Sequence, residues 1–387
     1  MPDAKTLIKA ADKLFIGMDL HKNTSTFVVK DREGKLINSA KVLTDKNDIT
    51  RYINSLKRNG PGRDLSLVVE PVSQWYYYAD LIENLGVDVH LAHPMEVKAI
   101  AHAHIKTDKI DAGVLADLLR TNFLPEAYFS PAEVRSWKEQ CRFRASIMNL
   151  RTQTKNKIHA ILFKHSLKHT FSNLFGKGGR SWLAGLELKE PFKGNLDKYL
   201  SLVDYLTEQI VLAEEIITHT VINCPQAKLL ISIPGISYCS ALTIMAEIGN
   251  IDRFISVKHL QSYAGLIPST YNSGDKQIHG RITKRGSKWL RWIMIESAYH
   301  QMNCKRIPGF GSYYNTLKKR KGSKTAAVAT ARKLLAVVWR LLKDNRPYEV
   351  IDPRLSAIAL ATAGCWKSGP LASKISSVSV AVSAATD

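Results

Sequence analysis

The apolar pattern begins with LFIGMDL (14–20), a run of large apolar positions broken by Gly17 and carrying Asp19 near its end, which predicts a buried strand. STFVVKD (25–31) and EGKLINSAKV (33–42) follow as two more strands around a Gly-containing turn, so the start reads as a meander. The period then changes. In DKNDITRYINSLKRN (45–59) the residues Ile49, Tyr52, Ile53 and Leu56 recur at helical spacing, and PGRD ends that helix before a fourth strand, LSLVVE (65–70). QWYYYADLIENLG (74–86) predicts a second helix stopping at Gly86, and VDVHLA (87–92) a fifth strand.

Beyond residue 94 helical periods dominate. A helical stretch runs to about 121 with a break near HIKTD, and a long polar helix runs from Pro131 to His165, with Val134, Trp137, Cys141, Ile147, Leu150, Ile158 and Leu162 at loose helical spacing. A second long helix over 196–222 predicts an antiparallel arm or coiled-coil pair, and the Gly-rich FGKGGRSWLAGLELKEPFKG between them reads as a loop. The region 225–345 is helix-rich and basic; the last residues, ending SKISSVSVAVSAATD, have few charges and read as a flexible tail. Three strands, helix, strand, helix, strand is the element order of an RNase H-like domain, an order that hosts many functions. The expected fold class is α/β plus α. It comprises an N-terminal lead (1–13), an RNase H-like (RuvC-like) domain (14–128), a helical coiled-coil connector (129–225), a small helix-rich C-terminal domain (226–348) and the tail (349–387).

Charge narrows the function. The 387 residues include 55 Lys and Arg against 34 Asp and Glu, a formal net charge of +21, so a polyanion is the natural partner. The five cysteines are scattered without a CxxC pair and read as reduced thiols. MPDAKTLIKAADK lacks an apolar signal core and no stretch reaches the roughly 18 apolar residues of a membrane span, so a cytoplasmic protein without membrane contact is expected.

The candidate chemistry lies in carboxylates. Asp19 and Glu70 each close an apolar strand, where a buried, unpaired carboxylate would cost several kcal/mol. Asp108 and Asp111 lie three apart on one face of the helix opening at T-D-K-I-D. Two strand ends and one helix face can converge, and such an all-oxygen set suits hard Mg²⁺, which keeps substrate phosphates in its shell. The plainer reading makes Asp108 a helix cap or first-turn charge and Asp111 a solvated acid.

These residues reach a known family. FIGMDLHK, VVEP, and KTDKIDAGVLADLLR followed by Pro125 and AYF resemble the DEDD-type insertion-sequence transposases, relatives of the pilin-gene invertases. The run from SIPGISYCSALTIMAEIGN to HGRITKRGSKWLR resembles the second block of the same family. The resemblance covers roughly 14–125 and 228–345. It implies a RuvC-like domain whose acids Asp19, Glu70, Asp108 and Asp111 hold Mg²⁺, with Mn²⁺ as a substitute. It also implies a transposase domain whose nucleophile is Ser273 in Tyr271-Asn272-Ser273-Gly274. The implied partners are double-stranded DNA at element ends and target, a structured guide (bridge) RNA that selects them, and further copies of the chain in a dimer or tetramer, in the bacterial nucleoid. With acids and serine in different domains, the resemblance leaves room for a site completed across protomers.

Read without the family, Asn272-Ser273-Gly274 is a polar turn. Serine is a weak nucleophile that needs a base or metal and nearby positive charge. Lys276, Arg281, Lys284, Arg285, Lys288 and Arg291 supply that charge, and a helix from about Thr283 would put Lys284, Lys288 and Arg291 on one face toward phosphate, or simply toward solvent. Lys106 and Lys109 beside the acids, and Lys318, Lys319 and Arg320 in LKKRKGSK, are further candidate nucleic-acid contacts. SIPGIS (232–237) reads equally as the phosphate-facing hairpin of a helix-hairpin-helix or as a plain turn. His90, His93, His102 and His104 lack zinc-ligand spacing, and Tyr76–Tyr78 read as helix packing; His21 either tunes a phosphate or caps a turn. A water-using, junction-resolving nuclease remains the alternative to serine chemistry.

Overall fold

The computed structural model describes residues 13–58, 63–101, 107–273, 276–303 and 310–348; the side chains of 271–273, 276–279, 302 and 303 stand outside that description. The N-terminal lead before residue 13, the tail after 348, Lys106, His102 and His104 also lie outside the described residues. The chain divides into two compact units at Ser130–Pro131.

In the first unit, β1 (Leu14–Leu20), β2 (Thr24–Lys30) and β3 (Leu36–Leu43) form the expected meander. Then follow α1 (Lys46–Arg58), β4 (Leu65–Val69), α2 (Trp75–Asn84), β5 (Asp88–Leu91), α3 (Pro94–Ile100) and α4 (Asp108–Arg120). The sheet order is β3-β2-β1-β4-β5, with β1, β4 and β5 parallel and the meander antiparallel. It is a mixed five-stranded sheet compatible with an RNase H-like domain.

Strand alternation sends β1 side chains to two cores. Leu14, Ile16, Met18 and Leu20 pack with Ile49, Ile53, Trp75 and Ile82 of α1 and α2. On the opposite face Val68 of β4 packs with Leu115, Leu118 and Leu119 of α4. Gly17 belongs to this second face: a Cβ there would lie 1.8 Å from the carbonyl oxygen of Ala112, so only glycine lets α4 lie this close to β1.

The second unit contains α5 (Ala132–Lys164), α6 (Lys177–Ala184) and α7 (Phe192–Asn223), then α8 (Pro225–Ile231), α9 (Tyr238–Ile248), α10 (Val257–Tyr263), the hairpin β6 (Pro268–Ser273) and β7 (Lys276–Ile282), α11 (Lys288–Asn303), α12 (Phe310–Lys321) and α13 (Ser323–Asp344). α5 and α7 run antiparallel. Ile158 and Leu162 cluster with Leu196 and Leu200, Ile147 with Leu206 and Ile210, and Cys141 with Ile217. Arg144 Nε donates to Glu214 Oε1 at 2.8 Å between them.

Three expectations change. The Gly-rich stretch 175–194 contains a helix, α6, whose Leu183 is buried against the arm, while Gly179 sits where a Cβ would strike the Leu174 carbonyl. Asn272 and Ser273 are strand residues in register with Gln277 and Lys276 rather than part of a turn, and Gly274 lies outside the described residues. No helix begins at Thr283: α11 starts at Lys288, and Lys284 has φ +55 in the preceding loop, so Lys284 shares no helix face with Lys288 and Arg291.

Candidate functional site

Asp19 lies in β1, and Glu70 directly follows the last residue of the neighbouring strand β4. β1 and β4 pair in parallel with Met18 opposite Val69, both in the α1–α2 core, so Asp19, the next residue of β1, turns to the opposite face. That face is the one covered by α4, at the ends where the chain leaves the sheet. Open α/β sheets place ligands there, beyond the carboxyl ends of their strands.

α4 brings the second pair of acids. Thr107 caps the helix by accepting from the Ile110 amide at 3.3 Å, and Asp108 and Asp111 occupy its first turn. At its far end Asp117 pairs with Lys30, and Arg120 donates to the Arg32 carbonyl at 3.1 Å, so the helix is tied to the meander as well as seated on Gly17.

Asp19, His21 and Asp108 form one cluster, with a ligand atom from each within 4.8 Å of the others. His21 Nε2 lies 3.1 Å from Asp19 Oδ2 and 3.6 Å from Asp108 Oδ1, and Lys41 Nζ of β3 lies 3.4 Å from Asp108 Oδ2. Burial first of all pushes the Asp19 carboxyl above its ordinary range; His21 pulls it back, and the Asp108 and Asp111 carboxylates push it up again. Glu70 is half-buried at the next strand end. The Asp19–His21–Asp108 cluster fits a divalent cation, which would offset both the burial of Asp19 and its repulsion by Asp108; Glu70 and Asp111 are not among the residues that form this cluster. His21 and Lys41 are the members sequence reasoning did not assign. His21 was visible two residues after Asp19, whereas Lys41 arrives from an edge strand with no signal in its own sequence.

The other candidates lie apart from this cluster in the chain. Ser273 ends β6, paired with Lys276, and both side chains stand outside the described residues. After β7 the loop 283–287 is pinned to the end of α10: Lys284 N donates to Gly265 O at 3.2 Å, Ser287 N to Tyr263 O at 2.8 Å, and Arg291 Nη1 to Ala264 O at 3.1 Å. Arg281, Lys284, Arg285 and Lys288 project into solvent from this pinned frame, and Arg291 is half-buried within it. Ser287 begins α11, accepting from Leu290 N at 3.0 Å and donating to Oε2 of Glu247 at 2.8 Å. Glu247 is 6% exposed and also meets Arg142 at 3.3 Å. Lys109, Lys318, Lys319 and Arg320 are exposed, the last three in the final turn of α12. SIPGIS joins α8 to α9, with Gly235 at φ +81 and the Gln301 amide donating to the Pro234 carbonyl. His90 is held between Asp88 and Glu126 at 3.0 and 2.9 Å.

A mixed sheet with Asp19 in β1, Glu70 just after the parallel β4, and Asp108 and Asp111 on the helix packed against that sheet is compatible with an RNase H-like domain carrying a candidate site for a divalent cation. Comparison with known proteins gives the particular family. Residues 16–166 match a DEDD-type transposase model and residues 227–315 match the Transposase IS116/IS110/IS902 family. The transposase for insertion sequence element IS1111A of Coxiella burnetii is 22% identical over 87% of this chain and 92% of its own length. A probable family 20 transposase of Pseudomonas aeruginosa is 25% identical over 73% and 85%, and the pilin gene-inverting protein of Moraxella bovis 25% over 87% and 98%. The chain belongs to the IS110-type transposase family and is a DNA-recombining enzyme. Among the described residues no helix is long and apolar enough to cross a membrane.

Proposed function

We propose that this protein is the transposase of an insertion sequence and cuts and rejoins DNA through a covalent phosphoserine intermediate. Mg²⁺, or Mn²⁺ in its place, is held by Asp19, Glu70, Asp108 and Asp111. Support comes from the register of β1 and β4, which pairs Met18 with Val69 just before Asp19 and Glu70, and from the cluster of Asp19, His21 and Asp108. When bound, the metal supplies a Lewis acid that withdraws charge from the phosphate oxygens.

The remaining work belongs to the chain itself. The Ser273 hydroxyl attacks phosphorus, its oxygen forms the new P–O bond, and its proton passes to a base. The displaced deoxyribose oxygen leaves as a free hydroxyl. Because one phosphoester replaces another, the bond energy is conserved and the reverse attack rejoins strands without ATP. Lys284, Arg285 and Lys288, held on the pinned loop and helix start, neutralise the backbone near that hairpin. A structured guide RNA bound by the remaining basic surface selects target and donor DNA.

Denaturing capture of a protein–DNA adduct tests the serine step. An adduct that disappears in Ser273→Ala supports it. Cleavage without adduct in the parent, retained in Ser273→Ala, replaces it with water attack at the carboxylate site. RNA recovered with the purified protein and sequenced tests guidance: a discrete structured species is expected, and recombination by RNA-free protein would remove the guide from the scheme.

A further inference from the structure

Glu247, the buried acid that receives Ser287, lies within an excess of positive charge. Arg135, Lys138 and Arg142 recur at steps of three and four near the start of α5 and so share one helix face. From that face Arg142 Nη2 comes within 3.3 Å of Glu247 Oε1. Arg253 returns from the turn after α9: its Nη2 donates to the Glu247 carbonyl at 3.2 Å and its Nε to the Ile248 carbonyl at 2.9 Å. The Arg253 guanidinium is further held over the rings of Phe254 and Tyr263, 4.2 and 4.4 Å from their centroids.

Lys138 registers the imbalance. Burial lowers its ammonium below the ordinary range, Glu247 raises it, and Arg142, Arg253 and Arg135 lower it again. Among the described residues, Glu247 is the buried carboxylate that answers these four cations, while Glu139 reaches Arg142 only from the surface, at 3.9 Å. The Nε–H of Arg142 is buried and, among the described residues, meets no acceptor. Like charges gathered in a partly buried place repel one another, and one acid offsets only part of that cost. An anion would offset the rest.

We propose that Lys138, Arg142 and Arg253 hold one backbone phosphate of bound DNA, with Glu247 as the internal counter-ion that keeps them in place while the strand is absent. All three cations are half-buried, so the site is open to a ligand from outside. Guanidinium forks match the oxygens of a phosphate. The surroundings also fit a polynucleotide. Ser287, bonded to Glu247, links the site to the pinned loop from which Lys284 and Arg285 project. Beside Arg142, 6.0 Å from its guanidinium, stands the ring of Trp289, and edge-on to it at 5.8 Å is Trp292, 40% exposed. Aromatic rings next to a cation cluster suit the bases and sugars that flank a bound phosphate. The inference rests on the chain's being a DNA-recombining enzyme and not on the serine step.

The test uses the full chain freed of nucleic acid and an unrelated DNA duplex, with binding measured in chelator so that neither the carboxylate site nor Ser273 enters the result. Lys138→Met is expected to weaken duplex binding by about 10-fold at fixed salt and to flatten the slope of affinity against salt by up to about 0.9, the share of one phosphate. Glu247→Gln keeps an acceptor for Ser287 but removes the internal competitor, so it is expected to bind the duplex about 3-fold more tightly or better. Cations that served only to neutralise Glu247 would give a different pair of results: unchanged duplex binding by Lys138→Met, and equal or weaker binding by Glu247→Gln. Either result in a variant with the parent's circular dichroism overturns the inference, as does a loss in Lys138→Met confined to structured RNA. Should the variants misfold, amine acylation of the parent decides, read at Lys138 by mass spectrometry. Saturating duplex is expected to slow that acylation at least about 5-fold, and an unchanged rate would remove the phosphate from this site.

Discussion

Gly17 and Asp19 sit two residues apart on one strand face, and each explains the other. Without a Cβ at 17, α4 approaches until Ala112 meets β1, and its first turn then carries Asp108 over Asp19. Gly17→Ala must move Ala112 backbone rather than a flexible side-chain end, so it should cost about 1–3 kcal/mol or more, read as a lower denaturation midpoint. Metal-dependent strand cleavage should fall with it. Asp19 shows the opposite balance between stability and activity. Its carboxyl is 21% exposed, and burial holds its folded-state titration above the unfolded value. The ionised group therefore costs stability at neutral pH, and the cost is relieved as pH falls through the raised folded value. Asp19→Asn should melt on the order of a few degrees higher than the parent in chelator at pH 7, the gap closing on acidification and also when Mg²⁺ is added to the parent. Its cleavage rate should drop at least about 1000-fold. A variant that melts lower than the parent in chelator would show that the acid is a structural partner. Asp19 was readable as a candidate because an apolar strand closing on an acid is costly unless that acid has a partner, and the structure sets it beside Asp108 and His21. Gly17 was not, because its role lies in a helix nearly a hundred residues away.

Among the elements, the strands of the first unit were legible almost to their ends, since period-two alternation and strong apolar runs leave a strand no competing structure. The second unit was harder where local signals conflict with packing. Gly178 and Gly179 argue against a helix at 177–184, yet Leu183 finds a buried place against the arm and Gly179 fits where no side chain could. The reverse holds at 283–287, where charge spacing suggests a helix but Gly286 at φ +86 and Lys284 at φ +55 keep the segment irregular. That loop is held by Ser287, which caps α11 while bonding buried Glu247. Ser287→Ala removes the cap and leaves a buried carboxylate oxygen short of a donor. The expected cost is about 1–3 kcal/mol of stability. DNA affinity should fall because Lys284 and Arg285 lose their fixed placement, while the slope of affinity against salt stays near the parent's, since no cation is removed. Isothermal unfolding and filter binding across a salt series separate the two effects. An unchanged affinity would mean that the loop's placement does not matter to binding.

For the whole molecule, the excess of positive charge is unevenly spread. α7 carries Asp197, Asp204, Glu208, Glu214 and Glu215 against Lys193 and Lys198, while α12 ends in Lys318, Lys319, Arg320 and Lys321, all exposed. Binding that rests on phosphate neutralisation weakens with salt at a slope of about −0.9 for each phosphate contacted on duplex DNA. If Lys318, Lys319 and Arg320 each meet a phosphate, changing all three to alanine should flatten the slope by up to about 2.7. Affinity should weaken to a similar degree on unrelated duplexes, since phosphate contacts carry no sequence information. The same substitutions should leave chelator-dependent melting unchanged, because the carboxylate cluster lies in the first compact unit and α12 in the second. A slope that does not move would take the α12 cluster out of the DNA surface. A slope that flattens with structured RNA and stays fixed with duplex DNA would assign the cluster to the guide, and the DNA contacts would then rest on the loop before α11.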